Sequence, residues 1–337
     1  MLAAATVAGR MCGKESGVKA RNGRFVLDRS KRIELTILAG ALLGLVGMIG
    51  LHRAGVPLIT YYLYVLLSAA IGGVLYAALR SVDQPLRRRI LLLLLGTSLF
   101  GAAALRDPIR ANFQIEGLFF DLFSGILFAA VIHYLIAKIL GPLLFGRIWC
   151  GWACWTAALL DQLPYKRSPG RLAGGWGYLR YLHAALSLNL VAALWFGLHY
   201  RPGDLGTTAL SWFLGGNLLY AVLGITLAFV LKDNRAFCKY ACPVSVPLRI
   251  GAPAALLKIR GTTGECCEQL VCEKVCPMDI RISEYVTSGR RITARECILC
   301  QACIDVCPKN ELSLSFGCDY GEPDRLQYRR YSKVQND

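Results

Sequence analysis

The peptides "RIWCGWACW" at residues 147–155 and "RAFCKYAC" at residues 235–242 share one pattern of residue types. Each begins with arginine, a spacer, an aromatic residue and cysteine, and continues with a spacer, an aromatic residue, alanine and a second cysteine. The copies are 88 residues apart, and each directly follows a long apolar run. The four-residue spacing places both thiols of a copy on one face of a helical turn. Each of two long apolar segments is therefore followed by an equivalent pair of thiols.

The apolar runs indicate a membrane protein. The chain has 337 residues, of which 55% are hydrophobic and 18% are charged, compared with roughly 25% charged residues in a soluble domain. A bilayer core of about 30 Å needs roughly 20 apolar helical residues. Windows that lack acidic and basic residues cover 35–52, 54–79, 90–105, 122–137, 181–200 and 205–231. They predict a polytopic α-helical membrane protein with about six spans.

Lysine and arginine placement predicts the orientation of these spans. If the N-terminus is cytoplasmic, the inside segments include the basic N-terminal arm, Arg87–Arg89, Lys166 and Arg167, whereas the outside loops keep only Arg53, Arg106, Arg110 and Arg201. Because cytoplasmic loops carry the excess of positive charge, we expect both termini in the cytoplasm of a bacterial inner membrane. The net charge of +16 then reflects topology and attraction to anionic lipid, and we expect no nucleic-acid partner.

The 88-residue offset aligns more than the cysteines. Residues 90–105 and 118–144, moved by 88, fall on 178–193 and 206–232, the starts of the predicted fifth and sixth spans. The last four spans therefore read as an internal duplication of a two-span unit, with both motifs at the cytoplasmic surface. Four thiols would converge there: Cys150, Cys154, Cys238 and Cys242. They suit an iron–sulfur cluster, a zinc ion or two reducible dithiols, or they simply pack between helices.

Residues 297–308 read "CILCQACIDVCP", which is the C-x2-C-x2-C-x3-C-P run of bacterial two-cluster ferredoxins. Cys297, Cys300 and Cys303 are spaced to wrap one [4Fe–4S] cluster, and Cys307 is spaced to reach a second. Eleven of the 14 cysteines follow residue 235, in a segment assigned to the reducing cytoplasm. Metal or redox chemistry is therefore favoured over disulfides.

A partner run, "CCEQLVCEKVCP", occupies residues 266–277 but has Gln269 where the pattern expects cysteine. Its Cys276 completes the first cluster with Cys297, Cys300 and Cys303. The second cluster would use Cys266, Cys272 and Cys307, with Cys267 as the nearest fourth ligand. Without that fourth ligand the site would hold a [3Fe–4S] cluster, and Cys318 is a more distant choice. The run predicts a small α+β two-cluster ferredoxin-like domain.

The predicted organisation follows from these motifs. It comprises a basic arm at 1–32, a transmembrane hairpin at 33–79, repeat one at 86–155, repeat two at 176–242, a linker at 243–263, the ferredoxin-like domain at 264–320 and a tail at 321–337.

The segments "GRIWCGWACW…LLDQLPY" and "FCKYACP", followed by two ferredoxin runs, resemble the NapH/MauN family of membrane-bound ferredoxin-type proteins. The pattern is also similar to the membrane parts of NosR and CcoG. The resemblance covers about residues 86–318, and it implies electron transfer between membrane quinol and a redox partner. Family members typically have four spans, so the first hairpin would be an addition. Trp155 departs from the family pattern, in which proline follows the second cysteine.

A quinol site needs proton-accepting groups inside or beside the membrane spans. His133, Asp121 and Asp161 are the candidates. The leading hypothesis is an electron-transfer subunit that links the quinone pool to iron–sulfur clusters for a partner enzyme. The alternatives are a redox-sensing or assembly protein and a cysteine-dependent copper reductase. Sequence alone names neither the partner enzyme nor the direction of electron flow.

Overall fold

A computed structural model describes residues 67, 70–79, 84–105, 112–125, 129–202, 207–261, 270–321 and 324–329. The predicted basic arm, most of the first hairpin, and both Cys266 and Cys267 lie outside the described residues.

Helices make up the N-terminal part, which we call the membrane part (residues 84–254). Its α-helices are α1 Gln84–Leu105, α2 Ile115–Ser124, α3 Ala129–His133, α4 Gly141–Phe145, α5 Ile148–Trp152, α6 Trp155–Leu160, α7 Leu179–Ala192, α8 Thr207–Leu231, α9 Ala236–Tyr240 and α10 Ser245–Gly251. A π-helical stretch, Tyr134–Leu140, joins α3 to α4, and a second, Ala193–Gly197, extends α7. Short 3₁₀ turns cover Gly175–Tyr178 and Ala252–Ala254.

Two helical runs among the described residues are long and apolar enough to cross a membrane. They are Gly175–Gly197, with 23 residues, and Thr207–Leu231, with 25 residues, and Ala130–Phe145 is a shorter apolar helix. The two long runs coincide with the predicted fifth and sixth spans.

The predicted fourth span, 118–144, is not one continuous helix. Helix α2 ends at Gly125, whose left-handed backbone (φ 72°) lets its N–H bond the carbonyl oxygens of Asp121 and Leu122. Glycine adopts this conformation without a steric penalty, which makes it a common helix stop. The carboxylate of Asp121 then accepts a hydrogen bond from Ala130 N at 3.2 Å, near the start of α3.

The C-terminal part, which we call the cluster lobe (residues 257–329), is a small α+β unit. Strands β1 Leu257–Gly261 and β2 Leu312–Phe316 pair antiparallel, with Leu257 opposite Phe316. The helices are α11 Val271–Lys274, α12 Ile282–Thr287 and α13 Ala302–Asp305.

The lobe contains a local repeat with an offset of 31 residues. Helices α11 and α13 each follow a residue in the left-handed region, Leu270 and Gln301. The turns after them each contain another, Asp279 and Asn310. The two aligned cysteine runs therefore share one local fold.

The lobe and the membrane part share a hydrophobic core. Cys150 of α5 is buried in the same cluster of side chains as Ile259, Met278, Tyr285 and Ile298 of the lobe. Docking of the two parts is therefore part of the fold itself.

Candidate redox site

Four cysteines of the lobe line one pocket: Cys276, Cys297, Cys300 and Cys303. Its other walls are apolar: Ile259, Pro277, Met278, Ile280, Ile282, Ile292 and Ile298. Leu299 and Gln301 take left-handed backbone conformations between the cysteines, which curls the loop around the pocket. The structure thus brings together the four residues predicted for the first cluster, within an apolar cradle.

The sequence spacing of these cysteines is that of a cluster-binding loop rather than the two-and-two pairing of a zinc site. No group of three or more His, Cys, Asp or Glu side chains in the described ranges is placed to hold one metal ion. A tetrahedral zinc with 2.3 Å bonds requires sulfurs about 4 Å apart, whereas a cubane stands between its thiolates and holds them further apart. All described cysteines are free of disulfides.

Burial governs the protonation of these thiols. It raises the pKa of Cys276 to about 12, that of Cys297 to about 12, and that of Cys303 well above its ordinary value. Cluster iron binds thiolate rather than thiol, so loading this pocket must release protons.

The second predicted cluster is only partly inside the described residues. Cys272 is buried and lies within electrostatic range of Cys303. Cys307 is half-buried after α13, and Cys318 is exposed. The ligand assignment of Cys266 and Cys267 stays a prediction.

The two Cys-x3-Cys turns of the membrane part have the same local structure. Helices α5 and α9 have five residues each, and after each helix the second cysteine donates its N–H to the residue before the first cysteine. These bonds, Cys154 N to Trp149 O and Cys242 N to Phe237 O, both measure 2.9 Å.

An arginine three residues before the first cysteine approaches its sulfur in both turns. Arg147 Nη2 is 3.9 Å from Cys150 Sγ, and Arg235 Nη1 is 4.0 Å from Cys238 Sγ. The repeated sequence pattern therefore encodes a repeated contact between a cation and a thiol.

The two turns also contact each other. Arg235 Nη1 donates to Cys150 O at 3.0 Å, and the same guanidinium binds Asp161, with Nε 2.7 Å from Oδ1. Burial and the neighbouring thiols Cys154 and Cys150 raise the pKa of Cys238 to about 11, although Arg235 opposes the shift. The four thiols predicted to converge are therefore electrostatic neighbours.

Asp161 is held by two arginines. Arg88 Nη2 lies 2.8 Å from Asp161 Oδ2, on the side of the carboxylate that Arg235 also reaches. Burial alone would raise the pKa of Asp161, but Arg235 and Arg88 outweigh it and hold the pKa below its ordinary value. This geometry ties α1, α6 and α9 together, and a proton role for Asp161 stays a prediction.

The first Cys-x3-Cys turn docks directly on the cluster loop. Trp152 Nε1 donates to Leu299 O at 3.0 Å, and Gln84 Nε2 donates to Cys300 O. A Cβ at Gly151 would lie only 2.3 Å from Ile298 O. Three consecutive carbonyls of the loop thus face the membrane part, with no space for a larger residue at Gly151.

Glu296, which precedes Cys297, is the centre of a buried ion cluster. Its carboxylate, 1% exposed, contacts four guanidinium groups: Arg147 at 2.7 Å, Arg171 at 2.9 Å, Arg180 at 3.1 Å and Arg249 at 3.2 Å. Burial favours a raised pKa, but the arginines dominate and lower the pKa of Glu296 far below its ordinary range. The lobe is therefore attached to the membrane part by a permanently ionised carboxylate.

His133 lies close to the first turn, although not at its thiols. Its buried ring is 5.5 Å from that of Trp149 and 5.0 Å from that of Phe113. The Lys138 ammonium lies 3.5 Å from the centre of the Trp149 ring. His133 and Lys138 thus share the aromatic side chain next to Cys150.

The comparisons agree with this geometry. A family model described as a 4Fe-4S binding domain matches residues 121–170 and 207–246, two segments that each contain one Cys-x3-Cys turn. The ferredoxin-type protein NapH of Escherichia coli is 23% identical over 231 residues, which cover 64% of this chain and 77% of that protein. The chain is therefore similar to ferredoxin-type NapH proteins. The resemblance expected from the motifs is thereby confirmed.

Other relatives of this NapH-like chain are similarly distant. An uncharacterized protein of Methanocaldococcus jannaschii is 28% identical over 214 residues, covering 59% of this chain and 86% of that protein. Protein RdxA of Cereibacter sphaeroides is 28% identical over 222 residues, covering 53% of this chain and 45% of that protein. Comparison with solved structures gives no significant match. Together the relatives support an iron–sulfur electron-transfer protein and a membrane location.

Several polar residues of this NapH-like chain escaped the sequence reasoning. The arginines of both motifs were visible as part of the repeat, but Glu296 was not, and Asp161 was predicted only as a proton site rather than as an arginine partner. Glu116 was overlooked because it lies in a short stretch assigned to an outside loop. A search for acidic residues beside apolar windows would have found it.

Proposed function

We propose that this chain carries electrons between quinol in the membrane and the iron–sulfur side of a partner redox enzyme. The contact between the first Cys-x3-Cys turn and the cluster loop is the observation that carries this proposal. Trp152 and Gly151 touch the loop backbone at Leu299 and Ile298, so the first Cys-x3-Cys turn and the cluster loop are in direct contact.

Three sets of residues would hold iron–sulfur clusters. Cys276, Cys297, Cys300 and Cys303 would hold one, and Cys266, Cys267, Cys272 and Cys307 a second. Cys150, Cys154, Cys238 and Cys242, which we call the thiol tetrad, would hold a third. When bound, such a cluster exchanges one electron at a time.

Buried charge around the thiol tetrad supports an anionic occupant. Two carboxylates, Asp161 and Glu296, contact six arginines, two on the first and four on the second. The buried amine of Lys138 also lies within electrostatic range of the tetrad. A surplus of buried positive charge is costly unless an anion offsets it. Four thiolates with their cluster supply that negative charge.

Aromatic side chains pack beside the tetrad, of which two thiols are buried and two, Cys154 and Cys242, are half-buried. Trp149 and Trp155 pack edge to face at 6.3 Å, and Phe237 packs on Tyr220 at 5.4 Å. Cys150 and Cys238 are 8% and 7% exposed. This burial favours electron transfer between fixed sites over the alternative of copper reduction, because an aqueous copper ion would need direct access to the thiols.

The membrane arrangement is part of the proposal. It comprises six spans, a duplicated two-span unit, cytoplasmic termini and an inner-membrane location. The matching turns and the two segments of the family match support the duplication. The quinone pool, further subunits of a redox complex and anionic lipid are the proposed partners. His133 and Asp121 remain candidates for contact with quinone or protons.

Anaerobic reduction by a quinol tests this function. The full chain, purified with its clusters into lipid nanodiscs, is mixed with duroquinol, and its visible absorbance is followed. We expect bleaching in the wild type and slow or absent bleaching in the Cys150→Ser, Cys238→Ser double variant, with dithionite reducing both. No response of the wild type to quinol would contradict the proposal, and a thiol-dependent partner interaction in its place would favour the redox-sensing alternative.

A further inference from the structure

A buried polar cluster lies inside the membrane part, and none of its members is a predicted cluster ligand. It contains Glu116 of α2, Tyr134 at the start of the π-helical stretch, Ser187 of α7 and Tyr220 of α8. Ser187 Oγ donates to Glu116 Oε1 at 2.6 Å. All four residues are buried, with exposures of 8%, 1%, 5% and 2% respectively. Four separate elements thus bring one carboxylate and three hydroxyls together.

Two of these hydroxyls have no hydrogen-bond partner within the described part of the chain. They are Tyr134 Oη and Tyr220 Oη. On the segment that leads to Glu116, the side-chain amide nitrogens of Asn112 and Gln114 are also buried without a hydrogen-bond partner among the described residues. Buried polar groups are normally satisfied, so orphaned donors indicate a partner that the protein itself does not supply. Tyr134 is also the first residue of the π-helical stretch, and π-helical turns are frequent at functional sites.

The cluster is adjacent to the thiol tetrad. Tyr134 and Tyr220 both lie within electrostatic range of Glu116 and of Cys242. The ring of His183 is 5.5 Å from that of Tyr220, and its Nδ1 is 2.7 Å from Ala241 O, next to Cys242. His183 and Ser187 are four residues apart on one face of α7. Polar side chains therefore lie between Glu116 and the second Cys-x3-Cys turn.

We propose that Glu116 accepts the proton that a quinol hydroxyl gives up, and that Tyr134 and Tyr220 orient the quinol head group by hydrogen bonds. This assignment rests on the proposed function. Oxidation of a quinol to a quinone releases two protons and two electrons. In each half of the reaction a quinol O–H bond breaks, an O–H bond forms on Glu116, and one electron passes to the iron–sulfur side. Glu116 releases its first proton to bulk water before it takes the second, so both quinol protons leave the protein as hydronium.

Glu116 suits this role better than the other acidic residues near the spans. Asp161 is fixed by guanidinium groups at 2.7 and 2.8 Å. Asp121 is occupied as a cap, since it accepts from Ala130 N. Among the described residues Glu116 accepts one hydrogen bond, from Ser187 Oγ to its Oε1, which leaves its second oxygen available to a quinol. Ionisable residues at membrane depth are functional candidates by default because burying them is costly.

Two measurements on the full chain in nanodiscs test the assignment. Binding of decylubiquinone is followed by quenching of tryptophan fluorescence, and the rate of cluster bleaching by duroquinol is followed by anaerobic stopped flow. Glu116→Gln keeps an acceptor for Ser187 but cannot take a proton. We expect it to lower the bleaching rate at least tenfold while changing decylubiquinone affinity less than twofold. Tyr134→Phe and Tyr220→Phe should each weaken binding about five- to tenfold, the effect of one lost hydrogen bond.

Ser187→Ala provides a second, milder variant, and Ser211→Ala is its matched control. Ser211 is exposed and donates only to Thr207 O within its own helix, so its variant should match the wild type. If duroquinol bleaches Glu116→Gln as fast as the wild type, the Glu116 assignment is wrong and the proposed function still stands. Failure of duroquinol to reduce the wild type would overturn the proposed function and this assignment with it. Reduction of every variant by dithionite shows that the clusters are present.

Discussion

Replacing Glu296 by glutamine should release the cluster lobe from the membrane part. The change preserves shape but removes the charge that four guanidiniums share at 2.7–3.2 Å. Removing one partner of a buried ion pair costs about 3–5 kcal/mol because the remaining charge is left uncompensated. With about 2–4 °C per kcal/mol for a protein of moderate size, the melting temperature should fall by at least about 6 °C.

The effect of Glu296 should depend on pH in a defined direction. Burial raises its pKa, the four arginines lower it by more, and the folded pKa lies well below the ordinary 4.5. A carboxylate with a depressed folded pKa contributes its full stabilisation above the unfolded pKa and loses it as the pH falls through the folded pKa. The difference between wild type and Glu296→Gln should therefore be constant from pH 7 to pH 5 and shrink below about 4.5.

Anaerobic thermal melts followed by tryptophan fluorescence measure this, because Trp152 bonds the cluster loop at Leu299 O. Glu284→Gln is the matched control in the same lobe. That carboxylate is 39% exposed and pairs with Arg281 at 2.9 Å, so its loss should cost no more than about 0.5 kcal/mol. Equal melting temperatures for the two variants would refute the role of Glu296 as the attachment of the lobe.

Three further predictions follow from the site. Cys303→Ser should abolish one cubane signal in electron paramagnetic resonance without affecting membrane insertion; an unchanged iron and sulfide content would argue against the ligand set. Gly151→Ala should destabilise the docked state by about 1–3 kcal/mol in chemical unfolding because its Cβ would meet Ile298 O, whereas Gly215→Ala, in open space, should not. Arg235→Gln should lower the midpoint potential of a cluster held by the thiol tetrad by about 40–170 mV. This is the effect on a one-electron couple of removing a charge at about 4 Å in a dielectric of 20–80. A potentiometric titration that gives the wild-type potential would rule this out.

The sequence was most informative where spacing alone fixes geometry. The C-x2-C-x2-C run predicted that Cys297, Cys300 and Cys303 point into one pocket, because a loop this short can place three thiols around a cluster. The aligned partner run added Cys276 to the same pocket. The repeated motif predicted two equivalent turns because identical spacing and flanking residues fold alike. Length and composition also predicted spans at 181–200 and 205–231, which overlap the helical runs Gly175–Gly197 and Thr207–Leu231.

Other features depend on contacts that composition does not record. The break at Gly125 is a single left-handed residue inside an apolar window, so counting apolar residues missed it. The docking of the lobe uses the backbone oxygens of Ile298 and Leu299, which every residue type has. Glu296 stands beside Cys297 in the chain, but its partners Arg147 and Arg249 are far away in sequence. Only the folded chain brings these groups together.

The claim that the membrane turns and the cluster lobe form one redox unit is tested most directly by counting iron. Purified anaerobically, the wild-type chain and the Cys150→Ser, Cys238→Ser double variant are compared for iron and acid-labile sulfide per chain. A third cluster in the thiol tetrad predicts that the variant loses about four irons and four sulfides and keeps the signals of the lobe. Identical iron contents in the two proteins would contradict it.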